Sequence, residues 1–95
     1  MKDENVKAAK IIVEGIVQGV NFRYYVKNCA QKLKLVGTVR NKSDGTVEVI
    51  TEGEENKMFE LIKLIKIGSP SSKVYSTDIE WRKPEKKHSH FQIVF

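Results

Sequence analysis

The chain has 95 residues, 40% of them hydrophobic, a formal net charge of +5 and a single cysteine. That is one domain's length, near the lower end of what folds without staples, and too hydrophobic for a disordered chain. Cys29 alone excludes an internal disulfide, the opening MKDENVKAAK is too polar for a signal peptide, and no apolar run approaches the ~20 residues of a membrane span. The expectation is a single cytoplasmic domain over residues 1–95, with residues 1–6 as a flexible amino-terminal segment.

Within Lys7–Glu14, the run Ile11, Ile12 and Val13 suits a central strand. A glycine-bearing bend follows, built of Gly15, Ile16, Val17, Gln18, Gly19 and Val20. From Phe22 to Leu33 the apolar positions Phe22, Tyr25, Val26, Cys29, Ala30 and Leu33 draw one stripe along a helix. Val36–Asn41 reads as a short strand, and KSDG turns the chain, Asp44-Gly45 being a strong hairpin signal. Thr46–Thr51 alternates and returns as a strand.

Met58, Leu61, Ile62 and Ile65 mark a second helical stripe. Glu54 and Glu55 lie in its first turn and Lys63 and Lys66 near its last, an order that suits the helix dipole. Gly68, then Ser69-Pro70, stops it. Val74–Arg82 reads as a strand, KPEKKHS as a polar loop, and FQIVF as a final short strand. The order βαββαβ, with that extra strand, predicts a ferredoxin-like α+β sandwich: an antiparallel sheet with both helices on one face and the other face wet. Many unrelated functions use this fold, so function must come from a site.

The bend after the first strand is the candidate. Its glycines permit close approach to the main chain, and a run of amides between a strand end and a helix start can form a nest for an oxyanion. Arg23 stands in the first helical turn, where a cation opposes the dipole at a cost of roughly 0.3–1 kcal/mol. A bound phosphate reverses that sign, and a guanidinium can fork two hydrogen bonds onto its oxygens. The helix descends roughly 18 Å, and the strand ending at Asn41 climbs roughly 20 Å. A right-handed crossover therefore returns Asn41 to the level of the bend. Neither GxxxxGK[ST] nor GxGxxG is present, so this is not a familiar nucleotide fingerprint.

Such a constellation has no strong base. It suits a substrate whose leaving group departs without protonation, and a carboxylic–phosphoric mixed anhydride fits. Phosphoryl transfer is then mostly positioning and charge stabilisation, with Asn41 orienting a water for in-line attack.

GIVQGVNFR (15–23), followed by GTVRNKSDGTVEV (37–49), resembles the acylphosphatases, whose patterns are G-x-V-Q-G-V-x-F-R and G-x-V-x-N-x-x-x-G-x-V. The resemblance continues through IGSPSSKV and FQIVF and covers almost the whole chain. It implies a small metal-independent enzyme without a cofactor that hydrolyses acyl phosphates to carboxylate and inorganic phosphate. It puts the substrate-binding arginine at Arg23, the water-positioning asparagine at Asn41 and the phosphate-cradling loop at Gly15–Val20. Two positions depart from the pattern: Thr38, where tryptophan is usual, and Lys34, where glycine is frequent.

The partners expected are an acyl phosphate and, as product or inhibitor, inorganic phosphate or a similar anion, acting on a monomer. His88 and His90 lack the further ligands a zinc site requires. The alternative is a non-catalytic ferredoxin-like module binding anions or RNA. Against RNA, the lysines are dispersed among acidic residues, and TVEVIT lacks the aromatics of an RNP1 strand. Nucleic acid and membrane are therefore not expected partners.

Overall fold

In the computed structural model, which describes residues 5–95, seven elements follow one another: β1 (Val6–Ile16), α1 (Phe22–Lys32), β2 (Val36–Asn41), β3 (Val47–Glu54), α2 (Glu55–Ile67), β4 (Lys73–Arg82) and β5 (Phe91–Ile93). The strands form one sheet in the order β4-β1-β3-β2-β5. Residues 1–4 of the expected amino-terminal segment lie outside the described residues, while Val6 already pairs with Glu54.

Alternation along the strands decides which face meets the helices. Ala9, Ile11 and Val13 of β1, Val39 of β2 and Val47 and Val49 of β3 are buried in one cluster with Phe22, Val26 and Ala30 of α1. Met58, Leu61, Ile62 and Ile65 of α2 complete that cluster, so both helical stripes lie on one face, as the spacing predicts. Each large side chain buried there contributes roughly 1.5–3 kcal/mol. On the uncovered face Glu48 is buried by its partners: Arg40 Nε donates to Glu48 Oε1 at 2.8 Å and Lys10 Nζ lies 3.9 Å from Oε2. A carboxylate so placed is tolerable because it is paired.

One expectation is corrected. The sheet is mixed, not antiparallel, because β5 runs parallel to β2 with Val39 opposite Ile93. Topology gives the reason. β4 fills the sheet edge beside β1 and runs antiparallel to it, so it finishes at the end of the sheet where β1 and β2 begin. The polar connection 83–90 crosses that end, held where Glu85 N and Lys86 N donate to the Glu52 carboxylate at 3.1 and 3.0 Å. The chain reaches the free edge of β2 at its start and has only one direction left to run.

The β2–β3 hairpin is fixed by its turn. Asp44 Oδ1 accepts from Thr46 N at 3.0 Å and Thr46 Oγ1 at 2.6 Å, bonds that hold the Asp44 carboxyl below its ordinary pKa. This hairpin and the bend after β1 lie at the same end of the sheet, as the Val13–Val47–Asn41 row requires.

Candidate active site

β1 runs further than its apolar run suggests. A bulge falls between Glu14 and Gly15, after which Gly15 pairs with Val74 and Ile16 with Lys73. A Cβ on Gly15 would stand 2.0 Å from the Lys73 carbonyl oxygen, so this glycine serves close backbone approach to β4. Gly15 and Ile16, expected in the phosphate-cradling loop, therefore stand in β1, and the irregular segment starts at Val17.

Buried side chains pin that segment at both ends, Val17 at its start and Phe22 just after it. Between them Gly19 (φ 74) and Asn21 (φ 60) take left-handed conformations. Asparagine is among the few residues that adopt this region readily. Asn21 is also the N-cap of α1, yet its side chain makes no capping bond.

Two side chains tie the bend to distant parts of the chain. Gln18 Nε2 donates to the carbonyls of Lys42 at 2.8 Å and Thr46 at 2.9 Å, locking the bend against the hairpin that follows Asn41. Ser69 Oγ, buried beyond α2, donates to the Val20 carbonyl at 3.3 Å. Neither role is evident in the sequence, where Gln18 is only a loop residue and Ser69 a helix stop.

Held this way, the bend leaves its donors free. Among the described residues, the amides from Gln18 through Tyr24 have no protein acceptor, and helical bonding begins with Tyr25 N to Asn21 O at 3.1 Å. No acidic residue occupies the first turn of α1. Such a run of unpaired N–H groups at a helix start favours negative charge. Arg23 lies half-buried in this turn, its guanidinium carbon 5.4 Å from the centroid of the Phe95 ring. That stacking contributes about 0.5–1 kcal/mol, enough to offset the dipole penalty. Arg23, Val17, Gly19 and Asn21 line one shallow depression.

Asn41 approaches from the sheet. It ends β2 opposite Val47 and alternates with buried Val39, so its side chain faces the helix layer, whereas Arg40 faces the other side. Asn41 Oδ1 is buried without a hydrogen-bond partner among the described residues. Leaving a buried amide oxygen unpaired costs roughly 1–3 kcal/mol, so the atom is a candidate for transient bonding. Arg23 reaches the same end of the sheet from the other flank. Val94 N donates to the Val39 carbonyl at 2.9 Å, carrying Phe95, on which Arg23 stacks, along β2 toward Asn41.

His90 Nδ1 is 3.0 Å from Ser89 Oγ, and its other ring nitrogen meets Gln92. Among the described residues no group of three or more His, Cys, Asp or Glu could hold a metal ion. No described helix is long and apolar enough to cross a membrane. Thr38 sits on the uncovered face between Ile50 and Gln92, away from the bend. Lys34 adopts φ 60 just beyond the α1 C-cap, a conformation that suits glycine better.

Fold and site together define a ferredoxin-like α+β domain with an amide-rich, arginine-bearing bend at a βα junction. A family model described as Acylphosphatase matches residues 9–93. The acylphosphatase of Bacillus subtilis is 44% identical over 86 residues, 90% of this chain and 94% of that protein. The crystal structure of acylphosphatase from Bacillus subtilis superposes with a TM-score of 0.91 at 43% identity, over 94% of this chain and 99% of the other. The structure of an acylphosphatase from Coxiella burnetii gives 0.92 at 33% identity, over 99% and 98%. The chain belongs to the acylphosphatase family, hydrolases that act on acyl phosphates.

Proposed function

We propose that the bend from Val17 to Val20, with the first amides of α1 and Arg23, holds the phosphate of an acyl phosphate, and that Asn41 orients the attacking water. The observation that carries this reading is the run of amides from Gln18 through Tyr24, unpaired among the described residues, beside half-buried Arg23. Gly15 and Ile16 contribute by ending β1 at the correct place, since their backbone is engaged with β4.

In the reaction, water oxygen attacks phosphorus opposite the carboxylate. The phosphorus–acyl oxygen bond breaks, the carboxylate leaves unprotonated, and the water's proton passes to a phosphate oxygen. The Asn41 carboxamide, whose Oδ1 has no partner among the described residues, accepts from that water and fixes its line of approach. Loop amides and Arg23 stabilise the charge that spreads over the equatorial oxygens. These residues belong to one chain, which supports action as a monomer. Free Cys29 suits a cytoplasmic setting. Inorganic phosphate should inhibit by competing for the same donors.

The test is phosphate release from acetyl phosphate in the presence of a chelator. Arg23→Gln should lower turnover on the order of 100- to 1000-fold with the fold intact. Asn41→Ala should lower turnover while inhibition by phosphate changes little. Wild-type rates in Arg23→Gln, at matched circular dichroism, overturn the assignment; equal loss of turnover and phosphate affinity in Asn41→Ala overturns the division of roles.

A further inference from the structure

A second depression opens from the same arginine. Between α1 and β5 runs a groove of about 510 Å³, inside the range of 300–1,000 Å³ usual for small-molecule sites. Arg23, Lys27 and Gln31 border it from α1, spaced four residues apart and so on one stripe; Tyr24, His90 and Phe95 also line it. Arg23 and Tyr24 line this groove and the depression at the bend alike, so the two adjoin at those residues. Among the described residues, no aspartate or glutamate lines the groove. Lys27 is half-buried, its Nζ lies 5.8 Å from the Tyr24 ring, and among the described residues it makes no ion pair.

We propose that this groove is the acyl subsite and that Lys27 makes it select acyl phosphates bearing a second anionic group at the far end of the acyl portion. The proposal rests on the reading of Arg23 and the bend as the phosphate site. The phosphate fixes one end of the substrate, and the acyl group then extends into the cation-lined groove that shares Arg23. Lys27 lies one helical turn on, a rise of roughly 6 Å, so its ammonium meets a charge separated from the mixed anhydride by a short acyl chain or one ring. Tyr24 and Phe95 supply aromatic walls for the intervening carbons. A carboxylate and a phosphonate share the required chemistry.

The experiment compares benzoyl phosphate with 4-carboxybenzoyl phosphate, 4-phosphonobenzoyl phosphate and the methyl ester of the carboxylate. The para position keeps the second anion from attacking its own anhydride. The quantity read is the ratio of kcat/KM for each anionic substrate to that for benzoyl phosphate. In the wild type this ratio should exceed one for the anionic pair and approach one for the ester. Lys27→Gln should lower it roughly three- to tenfold, and Lys27→Glu further. Lys63→Gln, an exposed charge on α2, should leave the ratio as it is. The carboxylate and phosphonate arms show which anion is preferred. A wild-type ratio near one, or an equal fall in Lys63→Gln, overturns the subsite. Absence of wild-type hydrolysis of benzoyl and acetyl phosphates alike would instead sink the underlying phosphate-site reading.

Discussion

Replacing Gln18 by alanine tests whether the bend works because it is held. The side chain donates twice, at 2.8 and 2.9 Å, to carbonyls of Lys42 and Thr46. Each such bond contributes about 0.5–1.5 kcal/mol net. Both carbonyls keep a backbone donor after the substitution, Gly45 N for Lys42 and Lys42 N for Thr46, so little desolvation penalty is added. The expected loss is about 1–2 kcal/mol, or roughly 5–12 °C in Tm for a chain this size. Because the bond joins the bend to the hairpin after Asn41, KM for acetyl phosphate should rise in the same variant. Gln18→Glu sets a carboxylate against the same two carbonyl oxygens, so the order of stability should be wild type, then Ala, then Glu. Differential scanning calorimetry and steady-state phosphate release give both readouts. A Gln18→Ala protein with unchanged Tm and KM, or a Glu variant more stable than Ala, would refute the argument that this carboxamide preorganises the site.

Gly15→Ala should cost about 3 kcal/mol or more, since the new Cβ meets the Lys73 carbonyl at 2.0 Å, while Gly19→Ala, with nothing within 4 Å, should cost only the left-handed backbone penalty of about 1–2 kcal/mol. Equal chemical-denaturation midpoints for the two would contradict this contrast. Lys34→Gly relieves a non-glycine residue at φ 60 and should raise stability slightly, by about 0.5–1 kcal/mol after the entropy of the unfolded chain is counted; a lower Tm would show that the Lys34 side chain contributes more than its backbone strain removes. Burial pushes the Tyr25 hydroxyl above its ordinary 10.0, helped by neighbouring Cys29, and pushes the Cys29 thiol above 9.0. The folded chain holds both protons more tightly than the unfolded one, so this contribution is full below those ordinary values and is lost as pH rises through the raised ones. Tyr25→Phe should flatten the alkaline decline in Tm, and an equally steep decline would place its origin elsewhere.

Much of the architecture is legible because local signals and packing agree. The two helical stripes, the Asp44-Gly45 turn and the stop at Gly68 each carry a local physical cause, and each falls where the spacing puts it. The direction of β5 is not legible. A strand of three residues has no periodicity of its own, and its sense depends on which sheet edge is still open. The extension of β3 past Thr51 is hidden likewise, because Glu52 and Gly53 look like turn residues until Glu52 is seen holding the amides of Glu85 and Lys86. In the site, Arg23 and Asn41 are readable from residue type and crossover geometry. Gln18 and Ser69 are not, since they act on carbonyls 24, 28 and 49 residues away, and nothing in a local window reports such a partner.

Those long reaches make the anion cradle a product of complete folding. A peptide ending after α1 would carry every residue of GIVQGVNFR and still lack the hairpin and the serine that hold the curve open. During refolding, catalytic competence should therefore return with the slowest docking step and lag behind helix content. The enzyme's own turnover becomes a gauge of whether its whole sheet has closed.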